Sequence, residues 1–240
     1  MARRTLALTA LAALLAPLAA VTASQAACSV DVTTASTESP HVTDDTGDWD
    51  GVATGNESGT VPAADLYREG IDLTGAWLAR AEDGTMTANI EVVSLSALQP
   101  NAIFYMLWHY AGTDAAKEHR WVSGRLKGYD VAFTYGFLGI NDVTGNMAFF
   151  TEGETTGEVV EGSPGRITVD IPSGGETLSG GSNDDWGAPP AGATLTFPTA
   201  ESRFLLGTPE PMPPNATGFR HGFVYVTDVA DISCDATIPA

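Results

Sequence analysis

The sequence predicts an all-β fold, an antiparallel β-sandwich of the immunoglobulin or jelly-roll kind, forming a single domain after a signal peptide. Short apolar or alternating segments recur along the chain with turn signals between them, and no segment has helical periodicity. Residues 129–138 give the clearest signal, because every second position is aromatic or apolar. These positions are Tyr129, Val131, Phe133, Tyr135 and Phe137. A period of two is typical of a half-buried strand.

The N-terminal 27 residues have the pattern of a secretory signal. Arg3 and Arg4 precede an apolar stretch over 6–21, and small residues follow at Ser24 and Ala26. The apolar stretch is shorter than the ~20 residues that a membrane span needs, and it contains Pro17. We therefore expect residues 28–240 to form a secreted, extracellular domain without a transmembrane segment.

The two cysteines, Cys28 and Cys234, lie near the two ends of that domain. Because oxidising compartments favour paired cysteines, we predict a disulfide between them. Lipid anchoring at Cys28 is the alternative, since Cys28 could be the first mature residue of a lipoprotein. Gln25 occupies the position where a lipid-attachment signal has Leu or a similar residue, which favours the disulfide.

The chain is strongly acidic, with 30 Asp and Glu residues against 11 Lys and Arg residues and a net charge of −19. Removal of Arg3 and Arg4 leaves 11 − 2 = 9 basic residues, so the mature charge is 9 − 30 = −21. This charge argues against nucleic acid and anionic membranes as partners. Hydrophobic residues make up 43% of the chain, enough for one packed core, and we expect a monomer.

The predicted strands follow one another from residue 29 to residue 229. They cover 29–34, 71–80, 85–94, 102–111, 119–126, 129–138, 146–151, 157–161, 166–171, 193–197, 202–206 and 219–229. Asp83-Gly84 predicts a hairpin turn, and 146–151 with 157–161 predict an edge hairpin. Residues 102–111 are apolar on both faces, which indicates a central strand. Residues 35–69 read as a long acidic, Gly-rich loop.

Several short segments carry a family resemblance. They are Asp44 to Asp48, residues 71–73, the hairpin with residues 85–90, residues 165–172 and residues 190–195. Together they resemble a DOMON-like or family 9 carbohydrate-binding-module-like sandwich over residues 40–206. The resemblance implies a module of secreted bacterial or archaeal proteins, with one ligand-binding sheet face and calcium-supported loops. The chain departs from the pattern by an apparent insertion at 174–187 and by the lack of an attached catalytic domain.

A calcium site is the first candidate functional feature. Asp44, Asp45 and Asp48 surround Gly47, and Asp72 begins the next strand. Ca²⁺ binds about 6–8 oxygen ligands, so these four carboxylates are the predicted metal ligands. The alternative is a solvated acidic loop in which Asp side chains hydrogen-bond to turn backbone.

Aromatic residues are the second candidate feature. Tyr and Trp combine an apolar ring with a polar tip and stack on sugars, so Tyr110, Trp121 and Tyr135 are the predicted ligand-binding residues. The alternative, which we favour for the aromatic stripe of 129–138 and for Phe133 in particular, is that these residues form the inner face of the sandwich core, with Tyr110 or Trp121 near an opening.

Catalytic signatures are missing from the sequence. There is no G-x-S-x-G elbow, H-E-x-x-H motif or P-loop. Met and His side chains that bind haem in some DOMON domains have no selective spacing here, although His109 and His119 could meet across paired strands. The sequence thus predicts a non-catalytic module that binds an extracellular glycan or cell-surface component. The alternatives are a structural or surface-interaction protein and an uncharacterised extracellular hydrolase.

Overall fold

A computed structural model describes residues 28–47, 50–54, 69–95, 102–110, 119–127, 130–140, 147–172, 189–205, 223–230 and 232–240. Within these ranges the chain forms 15 β-strands and no helix, which confirms the predicted all-β class. The strands are β1 (Ser29–Asp31), β2 (Val42–Thr43), β3 (Asp50–Thr54), β4 (Leu73–Arg80), β5 (Met86–Val92), β6 (Ala102–His109), β7 (His119–Lys127), β8 (Asp130–Ile140), β9 (Met147–Thr155), β10 (Gly157–Val160), β11 (Gly165–Ile171), β12 (Thr194–Leu205), β13 (Phe223–Val229), β14 (Ile232–Ser233) and β15 (Asp235–Thr237). No helix that could span a membrane occurs in this part of the chain.

The strands form two sheets, as a sandwich requires. The larger sheet has the order β1-β15-β12-β6-β7-β8-β9, and β13 pairs with both β12 and β3. The smaller sheet has the order β10-β11-β5-β4-β2-β14. All pairs are antiparallel except β1 with β15. The predicted antiparallel sandwich is confirmed.

The core lies between the two sheets and follows from strand alternation. On β6 every second side chain points into it, and β5 and β11 supply the facing layer. These buried residues are Ala102, Phe104, Met106 and Trp108 on β6, Met86, Ala88, Ile90 and Val92 on β5, and Ile167, Val169 and Ile171 on β11. Full burial of a large aliphatic or aromatic side chain contributes about 1.5–3 kcal/mol, so this layer supplies much of the driving force for folding.

The hairpin predicted at Asp83-Gly84 is confirmed, because β4 and β5 pair in antiparallel register around it. Gly84 has φ +89°, a conformation that favours glycine. The edge hairpin predicted from 146–151 and 157–161 is wrong. β9 continues to Thr155 and pairs with β8 in the larger sheet, whereas β10 pairs with β11 in the smaller sheet. The chain crosses between the sheets at Thr156 instead of reversing within one sheet.

Two further segments differ from the prediction. The loop over 35–69 contains β2, which pairs with β4, and β3, which pairs with β13. The strands predicted at 193–197 and 202–206 are one strand, β12, interrupted by a bulge between Thr196 and Thr199. Pro198 occupies the bulge, where proline does not break the hydrogen-bonded ladder.

The predicted disulfide between Cys28 and Cys234 is present, with the two Cα atoms 5.0 Å apart. It ties the start of β1 to β15, the strand with which β1 pairs. A disulfide is typical of oxidising compartments and is compatible with an extracellular protein. The Cys28 sulfur is used in this bond, whereas a lipid anchor would require it for a thioether.

Candidate ligand-binding face of the larger sheet

The larger sheet has an inner face, which packs on the smaller sheet, and an outer face, which points away from it. Strand register assigns side chains to the outer face because directly paired residues share a face. The outer-face residues include Tyr105 and His109 on β6, His119 and Trp121 on β7, Leu138 on β8, Phe149 on β9, and Glu201 and Arg203 on β12. None of these residues belongs to the core between the sheets.

Three of these side chains form an aromatic cluster, defined as Tyr105, Trp121 and Phe149. The ring centroids are 5.8 Å apart for Tyr105 and Trp121, 4.9 Å for Tyr105 and Phe149, and 5.7 Å for Trp121 and Phe149. Two of the contacts are edge-to-face, an arrangement that aromatic pairs favour. The outer face therefore has an aromatic layer of its own.

These contacts show that the larger sheet curls toward its outer face. Neighbouring strands lie about 4.7–4.9 Å apart, so β6 and β9, three places apart, would be roughly 14 Å apart in a flat sheet. The Tyr105 and Phe149 rings nevertheless meet across the two intervening strands, at 4.9 Å. The guanidinium carbon of Arg203, from β12, lies 5.2 Å from both ring centroids. The outer face is thus concave around the aromatic cluster.

A charge pair supports the arginine over these rings. Arg203 donates from Nε to Glu201 Oε1 at 2.5 Å and from Nη2 to Glu201 Oε2 at 2.9 Å. Such a bidentate contact fixes the plane of the guanidinium group. The fixed cation faces two aromatic rings, an interaction that strengthens where water is excluded.

A cleft of about 480 Å³ opens beside the aromatic cluster. Its lining combines apolar and polar side chains, namely Leu107, Trp108, His109, His119, Leu138, Phe197, Thr199 and Glu201. Phe197 is 67% exposed and has φ +51°, a strained conformation for a residue other than glycine. Its N–H donates to Asp235 Oδ1 at 3.3 Å. The β12 bulge thus holds a large apolar ring in solvent at the edge of the cleft.

The two histidines of the cleft meet, as the sequence suggested. His109 on β6 is directly opposite His119 on β7, and their ring centroids are 5.1 Å apart. His109 Nδ1 lies 3.1 Å from Thr196 Oγ1 on β12. The cross-strand pair therefore has a third strand that orients one of its rings.

The three predicted ligand-binding residues do not lie together. Tyr135 is 3% exposed within the core between the sheets, and Phe133 packs against that core. Trp121 belongs to the aromatic cluster of the outer face, where it is 2% exposed. Tyr110 follows β6, half-buried, with the guanidinium carbon of Arg120 5.0 Å from its ring centroid. Phe133 and Tyr135 of the β8 stripe therefore face the core, whereas Val131 is 45% exposed and Tyr129 lies outside the described residues.

The acidic loop is connected to Asp72 through Gly47. The fully buried Asp72 accepts a hydrogen bond from the Gly47 N–H, 3.1 Å from each carboxylate oxygen. Asp44 is half-buried and Asp45 is exposed, whereas Asp48 lies outside the described residues. Among the residues that are described, no group of three or more His, Cys, Asp or Glu side chains is arranged to hold a metal ion. Calcium binding stays a prediction.

Sequence reasoning missed Tyr105, Phe149 and Phe197 as site residues. The sequence signal that could have found Tyr105 is the apolar character of residues 102–111 on both faces, which we interpreted only as the mark of a central strand. That pattern also indicates an outer sheet face with an aromatic layer of its own. No sequence pattern predicted that Phe197 is exposed, because its exposure depends on the β12 bulge.

Comparisons with protein-family models, with curated proteins and with solved structures returned no match.

Proposed function

We propose that this chain is an extracellular ligand-binding β-sandwich that binds a neutral glycan on the concave outer face of its larger sheet. The observation that carries the proposal is the cleft beside the aromatic cluster, with the exposed ring of Phe197 at its edge. Its volume of about 480 Å³ falls within the ~300–1,000 Å³ typical of small-molecule sites.

The chemistry of the cleft matches a sugar ring. Pyranose rings have an apolar face that stacks on an aromatic side chain, and hydroxyl groups around the edge. Phe197 offers the aromatic surface, while Thr199 and the histidine pair offer hydrogen-bonding groups within the same cleft. Apolar lining with a few polar groups is the usual composition of a ligand site.

The negative charge of the chain limits which class of glycan it can bind. A net charge of −19 repels polysaccharides that carry sulfate, phosphate or uronate groups. Neutral and amino-bearing glycans meet no such barrier. We therefore expect neutral hexose polymers as ligands, with amino sugars as the next class.

The proposal is tested by screening the protein against a glycan array that contains neutral, amino-bearing and anionic glycans. Binding of neutral glycans, followed by calorimetric titration of the best ligand, is the expected result. Phe197→Ala should weaken binding at least tenfold and leave the thermal midpoint nearly unchanged, because this ring is largely exposed.

Val229→Ala is the matched control, since Val229 is another exposed apolar residue, 43% exposed, outside the cleft lining. This variant should bind like the wild type. No binding in any glycan class would favour a structural or surface-interaction protein of the same fold. Unchanged binding by Phe197→Ala would place the ligand elsewhere, and release of reducing sugar would favour a hydrolase.

A further inference from the structure

The cross-strand histidine pair carries an inference of its own. We propose that His109 and His119 bind a late first-row transition metal ion, such as Cu²⁺ or Zn²⁺, at one end of the cleft. This metal site does not rest on the glycan proposal, because it depends only on the two imidazole rings and on their register.

The geometry of the pair suits a shared ion. With metal–nitrogen bonds of about 2.0–2.1 Å, a tetrahedral ion between two imidazoles places their ring centroids roughly 5 Å apart. The rings of His109 and His119 are 5.1 Å apart, with an interplanar angle of 57°. Because the two histidines occupy directly paired positions on neighbouring strands, both rings can reach one ion.

The surroundings of the pair favour metal binding over a purely structural contact. Ligating histidines usually have their other ring nitrogen held by a hydrogen bond, which orients the ring and fixes the tautomer. Thr196 Oγ1 is placed to do this at His109 Nδ1, at 3.1 Å, so coordination would use His109 Nε2. His119 is exposed and His109 is half-buried, so an ion in solution can reach the pair.

The chemistry of the chain selects the class of metal. Imidazole nitrogen prefers Cu²⁺, Zn²⁺ and Ni²⁺ to Mg²⁺ and Ca²⁺. Cys28 and Cys234, the only cysteines of the chain, are joined in the disulfide and supply no competing thiolate. The net charge of −19 raises the local concentration of cations. Since no third His, Cys, Asp or Glu completes the site within the described ranges, water would occupy the remaining positions.

The test is a calorimetric titration of the secreted protein with Zn²⁺ or Cu²⁺ alone in 150 mM NaCl, with pulsed electron paramagnetic resonance of the Cu²⁺ complex. We expect one bound ion per chain and the nitrogen modulation of coordinated imidazole. His109→Asn and His119→Gln should each weaken binding at least tenfold, and the double variant should lose it. Thr196→Val should weaken binding by a smaller factor, because it removes only the orienting hydroxyl.

His221→Gln is the matched control, since His221 is a histidine that the proposal does not use, and this variant should bind like the wild type. Thermal midpoints measured in chelator would show that the histidine variants are folded. Wild-type affinity in both His109→Asn and His119→Gln, or a Cu²⁺ spectrum without imidazole modulation, would overturn the site. Failure of glycan binding would leave these metal measurements unchanged, so the two proposals are tested separately.

Discussion

The buried imidazole of His41 joins three segments near the disulfide. His41 is 1% exposed, and its Nδ1 accepts a hydrogen bond from the Leu78 N–H at 3.1 Å. Nε2 therefore carries the proton and donates to the Val30 carbonyl oxygen, also at 3.1 Å. The Cys234 N–H donates to the His41 carbonyl. A neutral ring satisfies both contacts, whereas a protonated ring would lose the acceptor that Leu78 uses.

Burial lowers the pKa of His41 below its ordinary value of 6.5, and the Val30 carbonyl and the Asp31 carboxylate oppose this shift. Between the folded pKa and 6.5 the unfolded chain binds more protons than the folded chain, so stability falls as the pH falls. We predict that the wild type loses unfolding free energy between pH 7.5 and pH 5.5. His41→Asn should be less stable at pH 7.5 but should lose less on acidification. Denaturant unfolding at several pH values measures both effects.

At the level of a single strand, β8 illustrates how small residues permit the concave face. Its outer face carries Ala132, Thr134 and Gly136, whereas the neighbouring strands carry Trp121 and Phe149. A Cβ atom at Gly136 would lie 2.6 Å from Trp121 Cζ2 and 1.9 Å from the Phe150 carbonyl oxygen. The absence of a side chain at Gly136 is therefore what lets Trp121 lie against the sheet.

Gly136→Ala should consequently destabilise the protein by about 1–3 kcal/mol, the usual cost of overpacking, or more because one clash involves backbone. The change should appear as a lower denaturation midpoint together with an altered near-ultraviolet circular dichroism spectrum, since the aromatic cluster would be displaced. Ala132→Ser, at an exposed position of the same strand face, should stay within about 0.5 kcal/mol of the wild type. Wild-type stability in Gly136→Ala would contradict the tight approach of Trp121.

Strand existence was predictable from the sequence where alternation or turn chemistry was strong, as in β8 and at the turn over Asp83-Gly84. The sheet to which each strand belongs was not predictable. The residues of β9 and β10 do not show whether the chain turns back within one sheet at Thr156 or passes to the other sheet. The register that brings His109 opposite His119 was foreseeable from adjacent strands. The aromatic cluster was not, since it depends on curvature that unites β6, β7 and β9. Local patterns predict elements, whereas the site depends on how the elements curl together.

On the scale of the whole molecule, the disulfide constrains almost the entire domain. Cys28 and Cys234 are 206 residues apart in sequence, so their bond removes a large part of the conformational freedom of the unfolded chain. For a loop of this length the chain-entropy model predicts that the disulfide stabilises the folded state by about 5 kcal/mol. This is an upper value, because strain and residual structure reduce the stabilisation that is measured. Cys28→Ser combined with Cys234→Ser should lower the thermal midpoint and keep the far-ultraviolet spectrum. Two free thiols in the non-reduced wild type would contradict this bond.

The charge of the whole molecule gives the last prediction. The net charge of −19 makes the folded state repel itself, because folding brings the carboxylates closer together than in the unfolded chain. Salt screens that repulsion over about 10 Å at 0.1 M, so the thermal midpoint should rise between 20 mM and 500 mM NaCl.

Calcium binding at the acidic loop would require a further rise of the thermal midpoint with millimolar CaCl₂ at matched ionic strength. A ligand that binds only the folded state, at a concentration one hundred times its dissociation constant, adds about 2.7 kcal/mol to the free energy of unfolding. Asp45→Ala should abolish the extra rise of the thermal midpoint that CaCl₂ causes. Asp45 is exposed and takes no part in the hydrogen bond between Gly47 and Asp72, so the substitution leaves that contact in place. Equal shifts with CaCl₂ and NaCl would mean that the loop is a solvated acidic turn that binds no calcium.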